Sequence, residues 1–138
     1  MQIIMGKVTV TVEVTVNNYA AFIDDLPGCV STGKTFRELK ANMTEAVADH
    51  LEISREYGDK ISDLFSGDYE LVFRFDTQSL LQHYRGIFTN AALQRITGIN
   101  QRQLQHYASG MSRPRPEQAN RIESALHHLG EELMAVEL

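Results

Sequence analysis

From Val8 to Val16 the chain reads Val-Thr-Val-Thr-Val-Glu-Val-Thr-Val, an apolar-polar alternation without a break. Successive side chains of a strand point to opposite faces, so this stretch fits a strand with one buried, valine-bearing face and fits no helix. Asn17-Asn18 supplies a turn, because Asn tolerates left-handed backbone, and Tyr19 to Ile23 reads as the returning strand of a hairpin. Leu26-Pro27-Gly28 breaks that strand, and a third short strand around Cys29 to Thr32 completes a meander.

Thr35-Phe-Arg-Glu38 is a capping box, in which hydroxyl and carboxylate each satisfy a free backbone N–H at a helix start. Phe36, Leu39, Met43, Val47 and Leu51 then recur at spacings of three and four, so a helix to about Tyr57 lays an apolar stripe on the sheet. Gly58 and Gly67 bracket a loop with one short helical turn at Ile61 to Phe65, and Tyr69 to Phe75 has the composition of a fourth strand. After Asp76 the strand signals stop. Helix starts are expected at Asp76-Thr77, Thr89-Asn90, Asn100 and Arg115-Pro116, the four helices running to about Arg85, Thr97, Ser109 and just before Gly130. The expectation is an α+β protein with a β-β-β-α-β domain at 1–75 and an all-α domain at 76–138.

The 138 residues include 43% hydrophobic and 22% charged side chains, ordinary for a globular chain. No stretch has the length and apolarity of a membrane helix, so a soluble, cytoplasmic protein without a membrane partner is expected. Cys29 is the single cysteine, so no disulfide, metal or cofactor is expected to hold the chain together. The net charge of −5 is unevenly placed: residues 1–76 hold thirteen acids and seven Lys or Arg, residues 77–138 five acids and six Arg. Those six, Arg85, Arg95, Arg102, Arg113, Arg115 and Arg121, share the span 85–121 with one acid, Glu117, the asymmetry of a local phosphate-binding surface.

In the run Ala91 to Gly110, two short helices meet at Gly98, which suits a left-handed cap. Ile99 is an apolar plug under the turn, and Asn100 with Gln103 can cap the next helix. Leu93, Ile96, Ile99, Leu104 and Tyr107 face inward, leaving Gln101, Arg102, Gln105 and His106 outward. Arg can pair with guanine and Gln with adenine in the major groove through two bonds each. The segment resembles the Cro/repressor-like helix-turn-helix family, through Ser109-Gly110 and the Pro-containing link beyond. That resemblance implies binding to double-stranded operator DNA, with Asn90 and Ser109 on phosphates and Gln101, Arg102 and Gln105 toward the bases; Asn100 at the start of the helix and His106 on its outward face complete the expected DNA-binding set. Arg113 and Arg115 join them as backbone contacts. It also implies a homodimer or higher homo-oligomer, joined through an exposed strand edge or through the last helix and its apolar continuation from Leu133 to Leu138. The family usually has Ala where this chain has Gln94; either the helix crossing is looser or Gln94 turns outward.

Tyr19-Ala-Ala-Phe-Ile-Asp-Asp-Leu-Pro-Gly-Cys-Val-Ser-Thr-Gly-Lys-Thr-Phe-Arg-Glu-Leu, with Asn42 and Glu45-Ala46 beyond, resembles the HicB antitoxin family over about residues 5–75. Asp-Leu-Pro-Gly-Cys is its best marker. The resemblance implies a partial RNase-H-like domain without nuclease activity that masks a HicA-type mRNA-cleaving toxin, with Tyr19, Phe22, Asp24 and Asp25 toward the toxin. The function expected is a DNA-binding antitoxin of a type II toxin-antitoxin system that represses its own operon, not an enzyme. The alternative is a stand-alone helix-turn-helix regulator whose first domain oligomerises or senses a ligand. Read without the resemblance, Glu13, Asp24, Asp25 and Glu45 could form a magnesium-dependent nuclease cluster. Against that, Glu13 alternates with the valines and points away from their face, while Asp24-Asp25 fit a strand-ending turn. Cys29 reads as a small buried residue, His127-His128 as partners of a helix dipole, and His50 as a border residue.

Overall fold

Three valines decide the first unit. In the computed structural model, which describes residues 5–138, Val8, Val10 and Val12 are 0% exposed, while Lys7, Thr9 and Glu13 between and beside them are exposed. They lie on β1 (Gly6–Val14), which is central in a four-stranded sheet of order β3-β2-β1-β4. β2 (Tyr19–Phe22) runs antiparallel to β1, β3 (Val30–Gly33) antiparallel to β2, and β4 (Tyr69–Phe75) parallel to β1. The helix α1 (Phe36–Glu56) connects β3 to β4, one edge of the sheet to the other, and so covers a single face. Leu39, Met43, Val47 and Leu51 form its buried stripe against the valines, with Thr35 capping its start by accepting from the Glu38 N–H at 3.0 Å. Tyr19, Phe36, Phe73 and Phe75 close one end of this core with ring centroids 5.0–6.5 Å apart.

The first hairpin differs from its expected form. β1 ends at Val14, and the loop over 15–18 is closed by Thr15, whose N–H donates to the Asn18 carbonyl at 2.8 Å and whose hydroxyl accepts from the Asn18 N–H at 3.1 Å. A loop of this length needs no left-handed Asn, and among the described residues only glycines have positive φ. The expected helical turn before β4 is a 3₁₀ turn at Asp63–Phe65.

A second compact unit begins at Thr77. It comprises α2 (Thr77–His83), extended by a 3₁₀ turn at Tyr84–Gly86, then α3 (Asn90–Thr97), α4 (Gln101–Ser109) and α5 (Pro116–Met134). Leu81, Leu93, Ile99, Leu104, Tyr107, Ala108 and Ile122 form its core, with Phe88, Ile96 and Leu126 packed against it. The last helix does not stop before Gly130. That residue has an ordinary helical backbone, and the run Glu131-Glu132-Leu133 favours helix enough to carry it, against a cost of about 1 kcal/mol for one Gly.

Gly33 tests the helix-sheet contact, because a Cβ built there would sit 2.5 Å from the Leu39 backbone nitrogen, whereas one at Gly67 meets nothing within 4 Å. Gly33→Ala is therefore expected to lose about 1–3 kcal/mol in chemical denaturation, and Gly67→Ala to stay within about 0.5 kcal/mol of the parent. Equal midpoints for the two variants would show that α1 does not press on β3 at this point.

Candidate nucleic-acid interface

The placement of α4 follows from what surrounds its first turn. Gly98 ends α3 with φ +73°, a left-handed cap that lets the chain reverse within three residues. Ile99, 3% exposed, seats in the core beneath the turn, and its N–H donates to Thr97 Oγ1 at 3.0 Å while that hydroxyl donates to the Leu93 carbonyl at 2.6 Å. Asn100 caps α4, accepting the Arg102 N–H at 2.8 Å. Gln94 adds a cap that the local pattern does not contain: from α3, it accepts the Gln101 N–H through Oε1 at 2.9 Å. Two of the four free N–H groups at the start of α4 are thus satisfied, one from across the turn. Gln94 is exposed, so of the two expectations for this position it follows the outward one, with a specific partner. Gln103 does not reach back to the cap as expected; its amide donates to Ser112 Oγ at 3.1 Å and ties α4 to the following link.

Leu104, Tyr107 and Ala108 anchor α4 in the core, facing α2 and α3. Gln82 on α2 fixes its far end by donating to the Ala108 carbonyl at 2.6 Å. On the opposite side Gln101, Arg102, Gln105 and Ser109 are all exposed, and at about 100° per residue they fall within an arc of about 100°. His106, half-buried, lies at the border of this face. Asn90, half-buried at the start of α3, donates to Gln105 Oε1 at 3.0 Å, so the two side chains are held together and the Gln105 amide is oriented. The Ser109 hydroxyl donates to the His106 carbonyl at 3.2 Å, which commits its proton locally and leaves it an acceptor. Arg113 and Arg115 flank Pro114 in the link to α5, both exposed, and Arg85, Arg95 and Arg121 are exposed as well. The Arg121 side chain lies over Gly98, its Nη2 2.8 Å from where a Cβ would stand, beside the C-terminal end of α3. The sequence marks Gln94 and Arg121 only as an outward side chain and one of six arginines; the contacts they make, Gln94 to the Gln101 N–H and Arg121 over Gly98, join residues 7 and 23 positions apart, separations that no local motif encodes.

In the first unit, two consecutive turns shape the segment after β2. The Leu26 N–H donates to Ile23 O at 3.3 Å and the Cys29 N–H to Leu26 O at 3.1 Å, with Pro27 and Gly28 (φ +86°) in the central positions of the second turn. Pro then Gly with positive φ is the type II pattern. Asp24 and Asp25 are exposed on the first turn, while Leu26 and Cys29 point into the core at 4% and 3% exposure. Burial pushes the Cys29 thiol up, away from thiolate chemistry. Phe22 pairs with Thr11 and Val30 across the sheet, on the face that α1 leaves open. Tyr19 is elsewhere: it lies on the covered face in the aromatic cluster with Phe36 and Phe75. Among the described residues no three His, Cys, Asp or Glu side chains gather as a metal site, so Glu13, Asp24, Asp25 and Glu45 do not form the cluster weighed above. Nor is any helix of the described residues long and apolar enough to cross a membrane.

The cap geometry can be tested directly. Asn100→Ala is expected to cost about 1 kcal/mol in urea denaturation, since it frees the Arg102 N–H at an exposed helix start. An unchanged midpoint would mean that Gln94 alone holds the first turn of α4.

Residues 8–68 match the family model of the HicB_like antitoxin of bacterial toxin-antitoxin systems. No curated protein matches the chain. The match runs from within β1 to the residue before β4, and by it the N-terminal unit of this chain is similar to HicB-like antitoxins.

Proposed function

We propose that the chain is the DNA-binding antitoxin of a type II toxin-antitoxin pair, a binding protein rather than an enzyme. Its first unit masks a HicA-type toxin, and its second unit is a helix-turn-helix of the Cro/repressor-like kind that binds the operator of its own operon in the cytoplasm. The observation that carries the antitoxin half is the family match over residues 8–68. The DNA half is supported by the exposed row Gln101, Arg102, Gln105 and Ser109 on α4, on a helix whose opposite side is anchored by Leu104 and Tyr107. In this reading α4 lies in the major groove and α3 crosses the backbone. Arg102 supplies a guanidinium for guanine, and Gln101 and Gln105 supply amides for adenine. Asn90 positions Gln105 from behind, an arrangement that holds the amide before DNA arrives. Arg113 and Arg115, in the exposed link, neutralise phosphates. For the toxin, the exposed Asp24-Asp25 turn and the open-face Phe22 offer a surface, acidic where a nucleic-acid-binding toxin is basic.

Binding to its own upstream DNA, measured against scrambled DNA at two salt concentrations, tests the second unit. Arg102→Ala is expected to lose about 1–3 kcal/mol on the operator and to relax preference at one base position. Arg113→Ala and Arg115→Ala should weaken all sequences alike and flatten the salt dependence. Equal losses on every sequence for Arg102→Ala would remove it from base reading, and no preference at either salt would remove the DNA half. For the first unit, co-expression with the product of a small adjacent reading frame is expected to yield a complex that Asp24→Lys with Asp25→Lys dissolves. A complex that survives both reversals would move the toxin surface elsewhere.

A further inference from the structure

β4 is an outer strand of its sheet, paired with β1 on one side. Every second N–H and C=O on its other side therefore points away from the sheet. Proteins blunt such an edge with proline or a bulge. β4 has neither: it reads Tyr-Glu-Leu-Val-Phe-Arg-Phe, and its seven residues keep continuous register with those from Gly6 to Val12. Its flank toward α1 is incompletely covered. Tyr69, Leu71 and Phe73 stand beside Gly6, Val8 and Val10, yet both valines are 0% exposed while the three β4 side chains are half-buried. With Lys40, Ala41 and Thr44 of α1 they line an open groove of about 710 Å³.

The charges at this groove run against those of the unit, which is acidic as a whole. At about 100° per residue, Arg37 falls within the arc of α1 that holds Lys40, Ala41 and Thr44. The five acids of α1, Glu38, Glu45, Asp49, Glu52 and Glu56, all fall outside it. Lys40 Nζ lies 4.7 Å from the centroid of the Phe36 ring, which meets Phe73 at 5.9 Å, so the cation is held at the Phe73 end. Glu70 and Arg74 of β4 pair with Lys7 and Thr11 on the opposite face of the sheet. An extended segment fits such an edge through its backbone, and its alternating side chains drop every second one into the groove. We infer that β4 and α1 capture an extended segment of another protein, with apolar side chains at two alternate positions and a carboxylate at the next, beside Lys40. The capture needs neither the Asp24-Asp25 turn nor α4.

The test is selection of a displayed library of random ten-residue peptides on the immobilised full chain, followed by fluorescence anisotropy with the enriched peptide. Enriched sequences are expected to share the two alternate apolar residues and the acid. Lys40→Glu, which turns one attraction into a repulsion, is expected to weaken binding about tenfold with unchanged circular dichroism. Exchanging the peptide's acid for lysine should restore it. Methylating alternate backbone nitrogens of the peptide should abolish binding, because strand addition uses those donors. Asp24→Lys with Asp25→Lys should leave it unchanged, which separates this surface from the toxin reading. Should Lys40→Glu fail to fold, Thr44→Arg, placed at an exposed position on the groove wall, is expected to block binding in its place. Enriched peptides without the alternation and acid, or binding indifferent to the groove variants and to methylation, overturn the inference. A solution mass above the monomer's that falls to it in Lys40→Glu would assign the edge to a second copy and overturn it too.

Discussion

Burial of the valine face of β1 is the interaction on which the first unit depends. β1 is hydrogen-bonded on both sides, to β2 and to β4, and is covered on one face by α1. Each fully buried valine contributes about 1.5–3 kcal/mol, so Val8, Val10 and Val12 together match a large part of the about 5–15 kcal/mol by which a domain is stable. A one-residue slip of register would turn that face to water and bury Thr9, Thr11 and Glu13 in its place. The sheet positions therefore follow from β1 outward, and with them the open face that carries Phe22 and the turns that expose Asp24 and Asp25.

The second unit rests on a different device. Three residues, Gly98, Ile99 and Asn100, reverse the chain, seat it in the core and restart the helix. The left-handed Gly98 cap fixes where α3 stops, buried Ile99 fixes the depth of the turn, and Asn100 with Gln94 fixes where α4 begins. Because α4 is held by Leu104, Tyr107 and Ala108 on one side, the row from Gln101 to Ser109 has no alternative but solvent. Rigid support behind and polar groups in front is the condition for reading a surface at fixed geometry, since side chains already ordered lose little entropy on binding.

The elements themselves were legible. Alternation marked β1, the Thr35 capping box marked the start of α1, the aromatic run marked β4, and the glycines marked the ends of α3 and α4. Each of those signals is local, set by the period of the backbone or by one residue's allowed φ. The misses were equally physical. The hairpin closes through Thr15 and Asn18 side chains rather than a left-handed Asn, and α5 continues through Gly130 because neighbouring residues outweigh one glycine. Among the candidate residues, the outward positions of α4 could be read from period alone, while the side on which Tyr19 lies depended on register with Val14 and on the aromatic partners waiting there.

By itself the sequence determined the α+β composition, the order of the elements, which faces are apolar, and where the arginines concentrate, because all of these are carried by spacing and residue type. Only the tertiary structure decided that β4 lies beside β1, that Gln94 caps α4 from α3, that Asn90 holds Gln105, and that α1 leaves a groove along β4. Those are relations between residues distant along the chain or across a turn, and a one-dimensional pattern has no term for the distance between them in space.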